Sequence, residues 1–388
     1  MNNKLNKKLK FAVIGCGAVG RETLSSTVKL ESVECVGAFE PDAKTARSVA
    51  DAFGIKTFAD LGEMLDKTKP DCVKICSPNK CHAEQAVLCL EKGCHVLVEK
   101  PMATNMEDCR KMVDAQKKTG RILAVNFEYR ISKLFAKINE IIESGKIGEV
   151  RNIFIYESRG PFMGEKGGWR FKKGSAGGLI AEKLVHYIDL AHFFSKSDIV
   201  RAFAFHGPNT ISHYEFPDNA FLILKHANGA QSVIGSHHGL QAEWDFGGYL
   251  DMGDPVLREK RFKWWEKTGH KDFVVVTGSK GAIHADADRE LVVANVYVPC
   301  DSRGGQSTRC DAEYDFSYLD RMEQVHDQKG MLMHFFEAVR GNEKIKTSAL
   351  DVLNSMAATF AAEKAMDLEM GAGVDVVKIR RPKSRNSE

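Results

Sequence analysis

The 388-residue chain has no apolar run approaching the ~18 residues of a membrane-spanning helix. It also lacks the apolar core of a signal peptide. After the basic segment Met1–Lys10, the run Phe11–Gly15 is too short for one, and the basic residues read as a solvated lead-in to a first strand. Charge of one sign is missing too. A formal net charge of +3 gives no support for nucleic-acid binding. None of the ten cysteines has the Cys-x-x-Cys spacing of a zinc site. Cys72 and Cys76 sit in an apolar strand pattern, and the cysteines read as reduced, mostly buried thiols of a cytosolic protein. Repeats and low-complexity tracts are absent. These absences leave a cytoplasmic globular protein with no membrane or nucleic-acid partner and no metal. The length predicts two domains.

What is present is alternation. Apolar runs at Lys10–Ile14, Val33–Phe39, Cys72–Cys76, Cys94–Val98 and Ile122–Val125 predict five strands. Helical spacing falls between them at Arg21–Lys29, Ala43–Phe53, His82–Glu91 and Asn105–Lys118. That order predicts βαβ units in a doubly wound parallel sheet covered on both faces. From about Val150 the pattern changes. Strands are expected at Asn152–Glu157, Ile199–Phe205, Ala220–Lys225, Gln231–Ser236 and Phe273–Thr277, with a hairpin signal at Asn228-Gly229. Few helices intervene, which predicts a mainly antiparallel sheet. Helices are expected at Gly178–Phe194, Gly330–Arg340 and Ser348–Met370. The boundary is placed at 128/129, giving units 1–128 and 129–388, with the C-terminal helices free to pack back on the first unit. Ala242–His270 reads as a charged, aromatic-rich insertion.

Gly15-Cys16-Gly17-Ala18-Val19-Gly20 follows the first strand and opens a helix. In a dinucleotide-binding turn the first glycine makes the bend. The second lets the backbone approach a pyrophosphate, and the third packs helix on strand. The anion then rests on the helix N-terminus. Glu40, twenty residues after Gly20, has the spacing of the acid that holds the ribose hydroxyls, with Asp42 as the alternative. A carboxylate there repels a 2′-phosphate, so NAD is expected rather than NADP.

Two further segments follow strand ends, where open α/β sheets bind ligands. They are Ser77-Pro78-Asn79 with His82, and Glu99-Lys100-Pro101. Lys100 is a candidate for contact with cofactor and substrate, whereas His82 reads as positional. On the later helix, Glu182 and His186 are four apart and predicted to share a face, which Asp189 extends. A carboxylate beside an imidazole suits a general base. His237 and His238 are adjacent on a strand, so they face opposite sides and make no metal pair.

Taken in order, these motifs resemble the Gfo/Idh/MocA family of nucleotide-dependent oxidoreductases. The resemblance covers most of the chain, roughly residues 8–375. It implies a Rossmann domain followed by an α/β domain with a large open sheet that often mediates oligomers, so a homo-oligomer (dimer or tetramer) is expected. It also implies a cis peptide before Pro101. Lys100 matches the family's active-site lysine, and Glu182 with His186 its Asp-x-x-x-His pair, with Glu in place of Asp. Cofactor contacts are then expected from Gly15–Gly20, Glu40, Ser77, Pro78, Asn79, His82, Glu99, Lys100 and Asn126. Substrate contacts are expected from Lys100, Tyr129, Arg130, Trp169, Arg170, Glu182 and His186. The implied reaction is oxidation of a secondary alcohol on a sugar, sugar acid or cyclitol, with His186 as base, Lys100 steadying the alkoxide and Glu182 orienting His186 or gripping a neighbouring hydroxyl. Two alternatives stay open: a glycoside-processing enzyme that oxidises its substrate transiently, and a non-enzymatic regulator that only binds the dinucleotide.

Overall fold

The structure, a computed structural model, describes residues 8–162, 168–238, 270–287, 290–300, 305–319, 324–368 and 373–377. The expected insertion therefore lies outside the described residues, apart from His270.

The N-terminal part builds a six-stranded parallel sheet from β1 (Leu9–Ile14), β2 (Val33–Phe39), β3 (Thr57–Phe58), β4 (Cys72–Ile75), β5 (His95–Val98) and β6 (Leu123–Val125). Its order is β3-β2-β1-β4-β5-β6, so the winding reverses between β1 and β4. Their carboxyl ends open the crevice where such sheets bind ligands. The linking helices are α1 (Ala18–Thr27), α2 (Ala43–Phe53), α3 (Leu61–Thr68), α4 (His82–Glu91) and α5 (Met106–Thr119). Asp42, Asp60 and Asn105 start α2, α3 and α5 by accepting from backbone N–H groups three residues on. β3 and α3 go beyond the sequence reading.

The chain continues with α6 (Lys133–Glu143), β7 (Val150–Arg159), the short α7 (Lys173–Ala176), a π-turn at Ile180–Leu184 and α8 (Val185–Ser195). Strands β8 (Ile199–Phe205), β9 (Asn219–His226), β10 (Gln231–His238), β11 (His270–Gly278), β12 (Gly281–Asp286), β13 (Leu291–Cys300) and β14 (Gly305–Asp315) follow. Then come α9 (Gln328–Arg340), α10 (Ala349–Asp367) and β15 (Val374–Asp375). The nine strands run β14-β13-β12-β11-β7-β10-β9-β8-β15. Every pairing is antiparallel except β7 with β10, so the sheet is mixed. Apolar residues of α6, α8 and α10 form a core with one sheet face. The other face shows Phe154, Phe205, Phe221 and Ile223, each 36–43% exposed.

The C-terminal helices return to the first sheet. Met331, Phe335 and Phe336 of α9 pack on Phe11, Val13 and Leu97. Val352 and Met356 of α10 join the core on the opposite face. A buried clamp fastens this junction. Arg130, just after β6, donates from Nε and Nη2 to Asp189 of α8 at 2.7 and 2.6 Å, and from Nη1 to the Lys346 carbonyl at 3.1 Å. Ser355 of α10 donates to the same carboxylate at 2.8 Å. Removing one partner strands the other charge in the core. Asp189→Ala is therefore expected to cost roughly 3–5 kcal/mol, seen as a lower urea midpoint in equilibrium unfolding. A change under about 1 kcal/mol would show that the clamp is dispensable.

Candidate active site

The glycine turn frames the crevice. Gly15 has φ +86°, and a Cβ there would lie 2.7 Å from the Ser77 nitrogen. A Cβ on Gly20 would lie 2.0 Å from the Gly15 oxygen. Backbone packing alone excludes side chains at both positions. Gly17 differs, because a Cβ there would meet nothing within 4 Å. It precedes α1 without a side-chain cap bond, and the first turn, which includes Ala18 and Val19, carries no acid. The helix start is thus open to an anion. The Cys16 thiol is buried, and burial first, then Glu40, push its pKa up to about 12, so it is inert. The Cys16 N–H donates to Glu40 Oε2 at 2.9 Å, and the Asp42 N–H donates to Oε1 at 3.0 Å. Glu40 therefore stands beside the turn. Asp42 is occupied with Thr45 as the cap of α2.

Beyond β4 and β5 the expected residues do different jobs. The His82 ring spans two carbonyl oxygens, 2.8 Å from Pro101 and 2.9 Å from Ser77, and so ties together the two loops that follow these strands. Ser77 Oγ donates to Gln85, and Pro78 precedes a single 3-10 turn. Asn79 donates to the Ala176 carbonyl and to Glu182 Oε2, at 2.9 and 3.1 Å. The side chains of Glu99 and Asn126 turn inward. Asn126 Nδ2 donates to Glu99 at 2.6 Å and to Gln328 at 2.7 Å, while buried Lys74 lies 3.0 Å from Glu99. The side chains of Asn79, Glu99 and Asn126 are thus engaged in bonds within the protein.

The Lys100–Pro101 peptide is cis. Lys100 Nζ donates to the Glu182 carbonyl at 2.6 Å and lies 3.6 Å from Glu182 Oε1. Arg170 Nε donates to the same oxygen at 2.7 Å. Burial pushes the Glu182 carboxyl up, but Lys100, Arg170 and the bond from Asn79 outweigh it and hold it below the usual carboxylate range. It stays ionised. Trp169, 43% exposed, stands next to Arg170 on a short turn.

Glu182 and His186 do not pair, which corrects the expected orienting role. Lys100, Arg170 and Asn79 claim the carboxylate, and among the described residues no hydrogen bond or ion pair joins it to His186. Asp189 does not extend the face either, because Arg130 and Ser355 hold it. Arg130 is itself committed to that clamp, and Tyr129 is engaged as well. Its hydroxyl is taken by Lys183 and His326 at 3.0 and 3.2 Å, and its ring stacks on His186 at 4.5 Å.

His186 Nδ1 instead faces Glu128 Oε2 at 3.8 Å. Burial first, then Lys100, Lys183 and His326, hold the imidazole well below its usual pKa. Glu128 is pushed up to about 7 by burial and by Glu99, against Lys100 and Lys183. Burial pulls Lys183 down to about 8 against the pull of Glu157. His238 and Glu157, on the inner sheet face, lie 3.9 Å apart next to this group. The sequence reading passes over Glu128, Glu157, Lys183 and His326. Glu128 and Lys183 directly neighbour Tyr129 and Glu182, a usable signal. His326 lies some 140 residues on, with none.

A family profile described as "Oxidoreductase family, NAD-binding Rossmann fold" matches residues 9–127, and the profile of the GFO/IDH/MocA C-terminal domain matches residues 135–284. The chain belongs to the Gfo/Idh/MocA family. It is 24% identical to the myo-inositol 2-dehydrogenase of Thermotoga maritima, over 92% of this chain and 96% of that protein. It is 31% identical to the D-glucoside 3-dehydrogenase of Escherichia coli, over 48% of this chain and 53% of that protein. The second match thus spans about half of that relative. Among solved structures, the WlbA dehydrogenase from Bordetella pertussis, in complex with NADH and UDP-GlcNAcA, superposes with a TM-score of 0.72 at 19% identity, covering 96% of this chain and 100% of that one.

As a Gfo/Idh/MocA member the chain is an NAD-binding dehydrogenase, and its residues fit that cofactor. The bare Cα of Gly17 and the uncapped start of α1 suit the pyrophosphate, and the Glu40 carboxylate suits the adenosine ribose. The two glycines also predict different failures. Gly17→Ala should fold with an unchanged melting temperature yet raise the Kd for NAD by roughly tenfold or more, about 1.4 kcal/mol. Gly20→Ala should lower the melting temperature as well. Calorimetric titration and thermal denaturation check both, and unchanged NAD affinity in Gly17→Ala would refute the cradle.

Proposed function

We propose that this dehydrogenase passes a hydride between NAD and a secondary alcohol on a polyhydroxylated ring: a sugar, sugar acid, glycoside or cyclitol. One observation carries the reading. A charged lysine, Lys100, sits 15% exposed at the crevice beside an ionised carboxylate and a neutral, buried histidine. The relatives named for myo-inositol and a D-glucoside support the substrate class.

When bound, the nicotinamide supplies the hydride acceptor. His186 enters the reaction unprotonated and takes the hydroxyl proton as general base. Lys100 donates a hydrogen bond to the oxygen as negative charge develops on it, the kind of preorganised charge that lowers such barriers most. Glu182 fixes Lys100 and Arg170 and offers its carboxylate to a neighbouring hydroxyl. Trp169 and Arg170 serve the outer part of the ring. This reading drops Tyr129 and Arg130 from the contacts.

A homo-oligomer is part of the proposal. The exposed apolar face carrying Phe154, Phe221 and Ile223 suits a second copy of the chain. Cys16, Cys72, Cys89, Cys94 and Cys109 are buried free thiols, in keeping with a reducing cytoplasm. Among the described residues no helix is long and apolar enough to cross a membrane.

The activity test is a screen of myo-inositol, D-glucose, methyl glucosides and sugar acids for NADH formation. Glycosides are also run with catalytic NAD and scored for aglycone release. Lys100→Met and His186→Ala should each slow single-turnover hydride transfer about 10²–10⁴-fold, and near-wild-type rates in both would sink the assignment. For assembly, Phe221→Asp should lower the mass measured by sedimentation. An unchanged oligomer would move the interface elsewhere.

A further inference from the structure

We infer that Glu128, and not Glu182, is the carboxylate that positions His186, and that the hydrogen bonds behind it hold the imidazole as its Nδ1–H tautomer with Nε2 left to the substrate. The inference rests on the reading of His186 as the base and deepens it.

The ring has little freedom. Tyr129 stacks on one face with an interplanar angle of 21°, and Phe127 packs edge-on at 5.8 Å. Only the in-plane nitrogens remain for polar contact. Nδ1 is fully buried and has no hydrogen-bond partner among the described residues, and neither has Glu128 Oε2, the oxygen 3.8 Å away. Two buried, unsatisfied atoms that face each other each carry a desolvation cost, and a slight approach would relieve both. Contacts of this kind are often long before substrate binds and tighten afterwards.

The direction of the bonds is set by Glu128. As a carboxylate it can only accept, so His326 donates from Nδ1, which lies 3.1 Å from Glu128 Oε1. A neutral His326 then accepts at Nε2 from the Tyr129 hydroxyl at 3.2 Å, while the Tyr129 oxygen accepts from Lys183 Nζ at 3.0 Å. Glu128 receives that bond on one oxygen and presents the other, Oε2, as an acceptor. His186 Nδ1 must therefore carry the hydrogen, and the lone pair is on Nε2. Imidazoles are commonly oriented in this way by a carboxylate on the opposite nitrogen.

Other charges surround the pair. Lys100, Lys183 and His326 face His186, and Glu99, Lys100 and Lys183 face Glu128. Lys100 and Lys183 favour an ionised Glu128 and an uncharged His186. Both conditions suit a carboxylate that accepts from a neutral ring.

The test is histidine-selective ¹⁵N NMR on the full-length protein, with the His186 signal assigned by its loss in His186→Asn. The wild-type ring should show the Nδ1–H pattern at about pH 8, above the raised pKa of Glu128. In Glu128→Gln, which keeps the shape and removes the charge, it should move towards the Nε2–H pattern. An Nε2–H ring in the wild type, or a tautomer indifferent to Glu128→Gln, would overturn the inference. Activity separates this failure from that of the parent reading. On a substrate found in the screen, Glu128→Gln should slow hydride transfer about 10–100-fold, with no further loss when added to His186→Asn. Full activity in His186→Asn would refute the base itself. Impaired His186→Asn with intact Glu128→Gln would refute only the role of Glu128.

Discussion

The ammonium of Lys100 is the charge on which the rest of the site depends. It lowers the proton affinity of two groups with opposite consequences. At Glu182 it favours the ionised acid, opposing burial. At His186 it favours the neutral base, reinforcing burial. One cation therefore sets a carboxylate and an imidazole in the two forms that alcohol oxidation needs, and neither has to be tuned separately. The lysine can do this because its amine bonds to the Glu182 backbone carbonyl, which fixes its distance to the turn carrying both residues.

That bond also joins the two sheets. Asn79 and Lys100 belong to loops of the first sheet, whereas Arg170 and Glu182 belong to the segment between β7 and α8. Burying the Glu182 carboxylate obliges the fold to bring donors to it, and these come from both sides of the crevice. The Arg130–Asp189 clamp repeats the arrangement deeper in the same junction, away from solvent. The crevice arginine and the clamp arginine thus differ in exposure more than in chemistry, which is why Arg130 and Arg170 could not be told apart as residue types.

Much of this was legible in sequence. Five of the six strands of the first sheet are mostly buried and stand out as apolar runs, and the glycine turn is demanded by its own backbone contacts. The strands of the second sheet were visible where one face is buried, as in β9. They were not visible in β14, which is exposed along most of its length, with only Ser307, Ala312 and Tyr314 half-buried. The spacing Leu134, Phe135, Ile138, Ile141, Ile142 does carry the helical signal of α6, which the strand-centred reading passed over. Lys100, Glu182 and His186 were recoverable as a set because their motifs are local. Their partnerships were not, because helical spacing fixes which side chains share a face but not which competitor reaches a carboxylate first. Three donors reach Glu182, and His186 is left to another acid.

That displacement has a physical logic. A carboxylate bonded to Lys100 and Arg170 is a poor hydrogen-bond acceptor for a histidine, since its charge is already compensated. An acid that both binds the cation and orients the base would do each job weakly. Dividing the work between Glu182 and Glu128 lets the first remain ionised among cations at the crevice. The second is just as buried, and burial and the neighbouring Glu99 raise its pKa to about 7. Its readiness to share a proton strengthens its bond to a neutral ring, because hydrogen bonds gain strength as the proton affinities of the two partners approach each other. The Glu128 carboxylate, bonded through His326 to Tyr129, then answers the one question that burial leaves open, which of the two imidazole nitrogens meets the substrate.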